Sequence, residues 1–118
     1  MTSKVEPTPL RTLPRDCPIT HALAVVGERW SLLVLRELRL GVHRFSDIRR
    51  NLGAPPEILT ARLRHLEAEG VIARRRYSEH PPRDEYLLTP KGEALTPVLD
   101  ALYDWGREHV TSEPGAAA

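Results

Sequence analysis

The chain has 118 residues, 41% hydrophobic and 28% charged, with a net charge of +1 at pH 7. That is the length of one domain with a globular composition, and no apolar run approaches the roughly 20 residues of a membrane span. The opening stretch MTSKVEPTPLRTLPRD lacks the apolar centre of a secretory signal. A lone cysteine, Cys17, builds neither an intrachain disulfide framework nor a cysteine-based zinc site, so a reducing cytoplasm is the expected compartment.

Residues 1–15, with three prolines and little periodicity, read as a mobile arm. Asp16-Cys17-Pro18 then opens a helix, with Asp16 or Cys17 as cap and Pro18 where no N–H is needed. Ile19, Leu23 and Val26 recur at helical spacing, and Gly27 ends the run. A second helix spans 30–40, with Leu32, Leu33, Leu35 and Leu38 as its apolar side, and Gly41 stops it. Residues 43–45 suit only a short edge strand. Ser46 is then the expected cap of a short helix over 47–52. After the Asn51 to Gly53 turn comes a helix over 56–69, striped by Leu59, Leu63 and Leu66 and closed by Gly70.

The period then changes. Residues 71–77 and 85–88 read as strands joined by the proline-stiffened segment 78–84. Thr89-Pro90 starts a last helix bearing Leu95, Val98, Leu99, Leu102 and Trp105, which Pro97 must kink or split. The tail 111–118 reads as unstructured. The expected fold is mainly α with a small β-hairpin (α+β): a winged helix-turn-helix domain over 16–110, its last helix serving dimerisation.

Charge is segregated along this plan. Residues 29–83 hold twelve arginines against six acids, and residues 84–118 hold two basic and seven acidic side chains. A basic middle suits a polyanion, although solvated Arg-rich helices would look the same. With the leucine stripe of helix 56–69 turned inward, the opposite face presents Glu57, Thr60, Ala61, Arg64 and Ala68. Arg64 can fork onto guanine, Thr60 can bond a phosphate or contact a thymine methyl, and Glu57 can accept from cytosine. Ala61 allows close approach. Arg62 lies on the flank, suited to the DNA backbone or an acidic neighbour.

On the hairpin, Arg76 and Arg83 are the candidate contacts to a phosphate rail or minor groove, ahead of Arg74. The alternative is a charged strand edge that blocks aggregation. Arg49 and Arg50 either clamp phosphate or pair with acids such as Glu37 and Asp47. Ile19, Leu23, Val26, Leu95, Val98, Leu99, Leu102 and Trp105 supply more apolar surface than one small domain covers, which implies a homodimer. Completion of the monomer core is the alternative. Two reading helices about 34 Å apart would then favour a two-fold, pseudo-palindromic operator on double-stranded DNA.

Cys17, at a helix start and near Arg15, is placed to be a redox or electrophile sensor or, alternatively, an inert buried thiol. The histidines are scattered, so no metal site is expected. No phosphate loop or nucleophile–base pair is present, so neither a cofactor nor an enzyme is expected. A protein-interaction module of the same fold remains the second reading, and a thiol enzyme centred on Cys17 a third.

Several segments together resemble the HxlR family of bacterial transcriptional regulators. These are Cys17-Pro18, residues 26–38 (VGERWSLLVLREL), 44–48 (RFSDI), 59–67 (LTARLRHLE), 81–86 (PPRDEY) and 88–92 (LTPKG). The resemblance implies a dimeric, cytoplasmic, nucleoid-associated regulator. Its reading helix is 56–69, its wing is 78–84, and its dimer pairs the first and last helices. It also implies that a small molecule or an electrophile acting at Cys17 serves as effector in some members. The chain departs from the family pattern at Pro55, Glu57 and Ala61, so an operator cannot be transferred from relatives.

Overall fold

The computed structural model describes residues 15–111. The expected arm at 1–15 and tail at 111–118 lie, except for Arg15 and Thr111, outside the described residues. In chain order the elements are α1 (Pro18–Val26), α2 (Arg29–Arg39), α3 (Phe45–Leu52), α4 (Pro56–Ala68), β1 (Ile72–Glu79), β2 (Pro82–Leu88), α5 (Pro90–Glu93) and α6 (Thr96–His109).

Each boundary has a local cause. Pro18 occupies the first turn of α1, and Cys17 stands in extended backbone at its cap without a side-chain capping bond. The Glu28 carboxylate caps α2 by accepting from the Trp30 N–H at 2.8 Å. Gly53, at φ 71°, ends α3 in the left-handed region, and Pro55 and Pro56 launch α4 two residues later. This short connection is the turn of the helix-turn-helix.

Ser46 does not cap α3 as expected; Arg44 holds that position. The reason lies across the fold. Arg44 bridges Glu85 of β2, the Tyr86 N–H donates to the His43 carbonyl (2.9 Å), and His43 Nδ1 meets the Tyr86 carbonyl (2.9 Å). The chain therefore leaves a strand-like contact directly into the helix. The anticipated edge strand shrinks to this one bridge.

The core is built from Val34, Leu35 and Leu38 of α2, Ile48 of α3, Leu59, Leu63 and Leu66 of α4, and Val71 and Ile72 entering β1. Helical spacing on α2 selects Ser31, Val34, Leu35 and Leu38 for the buried face. Leu32 and Leu33, expected on that face, are only half-buried. A stripe of leucines wider than one face had disguised which of them turns inward.

The hairpin is longer and its loop tighter than the 78–84 segment expected. β1 and β2 pair antiparallel from Ile72 opposite Leu88 to Glu79 opposite Pro82, with an irregularity between Arg76 and Ser78. Cross-strand Arg75–Glu85 and Arg76–Asp84 pairs, and a Ser78 hydroxyl donating to the Pro81 carbonyl (3.0 Å), extend the ladder into what read as loop.

The last segment splits as Pro97 required, into α5 and α6. The Thr89 hydroxyl donates to the Gly70 carbonyl at 2.6 Å and accepts from the Gly92 N–H at 3.2 Å, tying α5 to the start of β1. Gly92 is buried against the Val71 carbonyl, where a β-carbon would overlap that oxygen. α6 contributes no buried residue; only Leu95, just before it, and Leu99 are half-buried against the core.

Candidate nucleic-acid interface

α4 is pinned by Leu59, Leu63 and Leu66, all 2% exposed or less. Glu57, Ala61, Arg64 and Ala68 are exposed on the other side, as the wheel requires. Thr60 is half-buried, because it turns toward the hairpin. Thr60 and Arg64 form one wall of a cleft of about 300 Å³ between α4 and the wing; Phe45, Glu67, Arg74 and Tyr86 complete it.

Sequence reasoning missed this cleft. Glu67 follows Thr60 by two helical turns and Arg64 by three residues, so the helical pattern already placed the three on one side. The cross-strand partners had no such signal. Arg74 Nε donates to Glu67 Oε2 at 3.3 Å, while Arg74 Nη1 lies 3.8 Å from Asp84. One guanidinium thus braces the hairpin against α4. The acidic neighbours, Glu67 first, raise the Arg74 pKa above its ordinary value. Burial pushes the Tyr86 phenol up against the lowering effect of Arg74, so Tyr86 faces the cleft as a neutral hydroxyl.

The arginines of the middle segment fall into two groups. Arg50 pairs with Asp47 (2.7 Å), Arg75 with Glu85, and Arg76 with Asp84 (2.8 Å) and Glu79 (3.3 Å). Asp84 is the main cause of the raised Arg76 pKa. Arg44 stacks over the Tyr77 ring at 4.2 Å. Arg49 and Arg83 are exposed, and half-buried Arg62 sits on the flank of α4. None of these three has an ion-pair partner among the described residues. Arg83 and Arg49 are therefore the less encumbered cations on wing and α3, whereas Arg76 and Arg50 are each already neutralised.

The residues expected at a subunit interface also divide. Val26 is 6% exposed and belongs to the monomer core instead: it ends α1 where the helix meets the body. Leu95 and Leu99 are half-buried against that core. Ile19, Leu23, Val98, Leu102 and Trp105 stay 43–60% exposed on α1 and α6.

Cys17 is half-buried at the start of α1. Backbone N–H groups at Thr20, foremost, and Ile19 lower its pKa below the usual thiol value. Its Sγ lies 4.0 Å from the Thr20 hydroxyl, which donates to the Arg15 carbonyl. Asp16, which would oppose the thiolate, is drawn to His21 at 2.7 Å. Among the described residues no cluster of His, Cys, Asp or Glu is placed to hold a metal ion, and no helix is long and apolar enough to cross a membrane.

Comparison with known proteins supplies the family. The chain is 44% identical over 97 residues to the HTH-type transcriptional regulator Rv3095 of Mycobacterium tuberculosis, covering 82% of this chain and 61% of that one. It thus spans about three fifths of that relative's length. Among solved structures, PA1607 superposes with a TM-score of 0.77 at 37% identity, covering 85% of this chain and 70% of that chain. The redox regulator HypR in its reduced form gives 0.71 at 32%, covering 78% and 92%. The model of the HxlR-like helix-turn-helix family matches residues 25–114, and the chain belongs to that family.

Proposed function

We propose that the protein is a homodimeric, sequence-specific DNA-binding transcriptional regulator that acts at a pseudo-palindromic site in the bacterial nucleoid. The observation that carries this reading is the posture of α4. Its leucines are sealed in the core while Glu57, Ala61 and Arg64 stand clear, beside a hairpin whose Arg83 has no acidic partner among the described residues. In this reading α4 enters the major groove, and Arg64 forks onto a guanine with Glu57 and Ala61 beside it. Thr60, set toward the cleft, serves a phosphate at the groove edge. Arg49, Arg62 and Arg83 hold the DNA backbone, with Arg50 and Arg76 available only after giving up their carboxylates. Ile19 and Leu23 of α1 with Val98, Leu102 and Trp105 of α6 form the subunit contact, and Val26, Leu95 and Leu99 support it from beneath. No chemical turnover is part of this reading.

A second layer rests on Cys17. Its depressed pKa favours the nucleophilic thiolate, and the likeness to the redox regulator HypR lends the layer support. Oxidation or alkylation at the start of α1 would act on the helix that the dimer uses. The test is a mobility-shift titration with the DNA upstream of the protein's own gene at low salt, before and after diamide. Retarded complexes that diamide alters in the wild type and not in Cys17→Ser support both layers. Absence of any complex at low salt overturns the DNA reading.

A further inference from the structure

Glu37 of α2 is the buried carboxylate among the described residues, 5% exposed, and the proposed DNA contacts make no use of it. Burying a carboxylate is costly unless hydrogen bonds and a countercharge meet it, and here both are present. Its Oε2 accepts from Arg36 Nε (3.3 Å) and Nη2 (3.1 Å). Its Oε1 accepts from the side-chain amide of Asn51 at 2.9 Å. A carboxylate has no proton to give, so the amide must turn its NH2 toward Glu37. The main chain of the same residue is engaged too. Its carbonyl accepts from the Val42 N–H at 2.9 Å, in the segment that feeds α3. One residue of α2 thus holds the chain before α3 and, through Asn51, the last turn of α3.

The apolar residues between the two helices do not supply this. Val34, Leu35 and Leu38 of α2 share one cluster with Ile48 of α3, and apolar attraction is non-directional. It keeps the helices together and leaves their slide and tilt loosely set. A hydrogen bond to a charged acceptor is short-ranged and directional. Asn51 stands two residues before Gly53, whose left-handed backbone turns the chain. Pro55 and Pro56 follow, their φ fixed by their rings. So short and stiff a connection carries any displacement of Asn51 to the first turn of α4, where Glu57 lies. We propose that Glu37 is a positioning residue for DNA recognition: balanced by Arg36, it grips Asn51 and so sets where α4 enters the groove. Neither Glu37 nor Asn51 touches DNA in this role. The inference rests on the reading of the protein as a DNA-binding regulator.

The experiment uses the full chain with Asn51→Ala, Asn51→Asp and the double variant Glu37→Gln/Asn51→Asp. Affinity is measured for the DNA upstream of the protein's own gene and for unrelated DNA of equal length. The readout is the ratio of the two, in which a uniform effect of net charge cancels. Asn51→Ala, at an exposed position, removes the grip, and Asn51→Asp sets two carboxylates face to face. Each should lower the ratio roughly tenfold, the worth of one bond to a charged group. In the double variant the new amide donates to the new carboxylate at unchanged net charge, and the ratio should return to within about threefold of wild type. Amide chemical shifts of Gly53, Ala54 and Glu57 should move in Asn51→Asp and return in the double variant. A merely structural pair would lower the unfolding midpoint, followed by circular dichroism, and leave the ratio of the folded protein alone. Unchanged ratios in the Asn51 variants overturn the role. A double variant that stays as low as Asn51→Asp also overturns it, and makes Asn51 itself a DNA contact. Either result, obtained with a wild type that binds DNA, removes the role of Glu37 alone. A wild type that binds neither DNA at low salt removes the regulator reading, whatever the turn signals do.

Discussion

His65 of α4 places its ring Nε2 3.0 Å from the carbonyl oxygen of Ala24, in the last turn of α1. That carbonyl is one of the four a helix leaves unpaired at its C-terminus, and the imidazole of the DNA-facing helix satisfies it. One hydrogen bond thus joins the element proposed to read DNA to the element that starts at Cys17. His65→Ala is expected to cost about 0.5–1.5 kcal/mol in urea unfolding, the worth of an exposed neutral bond. It should also blunt the effect of Cys17 alkylation on DNA affinity. Alkylation that acts equally in both proteins would show that the coupling runs elsewhere.

Pairing among the arginines sets their rank on DNA. Arg64→Ala should lose ~1–3 kcal/mol and relax base preference at one position. Arg83→Ala and Arg49→Ala should weaken all sequences alike, each lowering the salt slope by about one. Arg76→Ala should change the slope less, because Asp84 and Glu79 already hold its charge. Titrations across a salt series distinguish these outcomes.

The Glu67–Arg74 brace gives a prediction with opposing electrostatic and geometric signs. Glu67→Gln removes a negative charge beside the DNA face, so non-specific affinity should rise. Loss of the brace frees the wing from its angle to α4, so the ratio of specific to non-specific affinity should fall. Stability should move by less than about 1 kcal/mol, as for other exposed pairs. Competition with unrelated DNA measures the ratio.

Cys17 should react with iodoacetamide at a lower pH than an unstructured cysteine, whose pKa is about 8.5. The backbone N–H groups of α1 favour the thiolate only while the helix is folded. The folded pKa is therefore the lower one. The associated stabilisation is present above the unfolded value and disappears as pH falls through the folded value. Denaturant should return the rate profile to that of free cysteine. Thr20→Val, which removes the smaller side-chain contribution, should move the profile only slightly upward.

Gly92→Ala should destabilise by about 1–3 kcal/mol, as overpacking does. Its β-carbon would meet the Val71 carbonyl and the Leu88 side chain, neither of which can retreat without disturbing the start of the hairpin. Thermal unfolding followed by circular dichroism checks this. A wild-type midpoint would mean that α5 yields instead.

Much of the molecule was legible in the residues. The leucine period of α4, the prolines opening α1 and α4, the glycines ending helices and the change of period after Gly70 each report a local backbone preference, and local preferences survive translation into structure. The same holds for the outward face at Glu57, Ala61 and Arg64, since a pinned stripe fixes its opposite. Where two elements meet, the pattern is silent. Val26 looked like Ile19 and Leu23 until the body closed over one end of α1. Arg76 looked like Arg83 until strand register set the carboxylate of Asp84 opposite the first and the uncharged Ser78 opposite the second. Ser46 lost its capping role to a bridge with a residue some forty positions onward. Periodicity states which side of an element turns inward; distance along the chain carries no information about which neighbour will cover it, and burial and ion pairing depend on that neighbour.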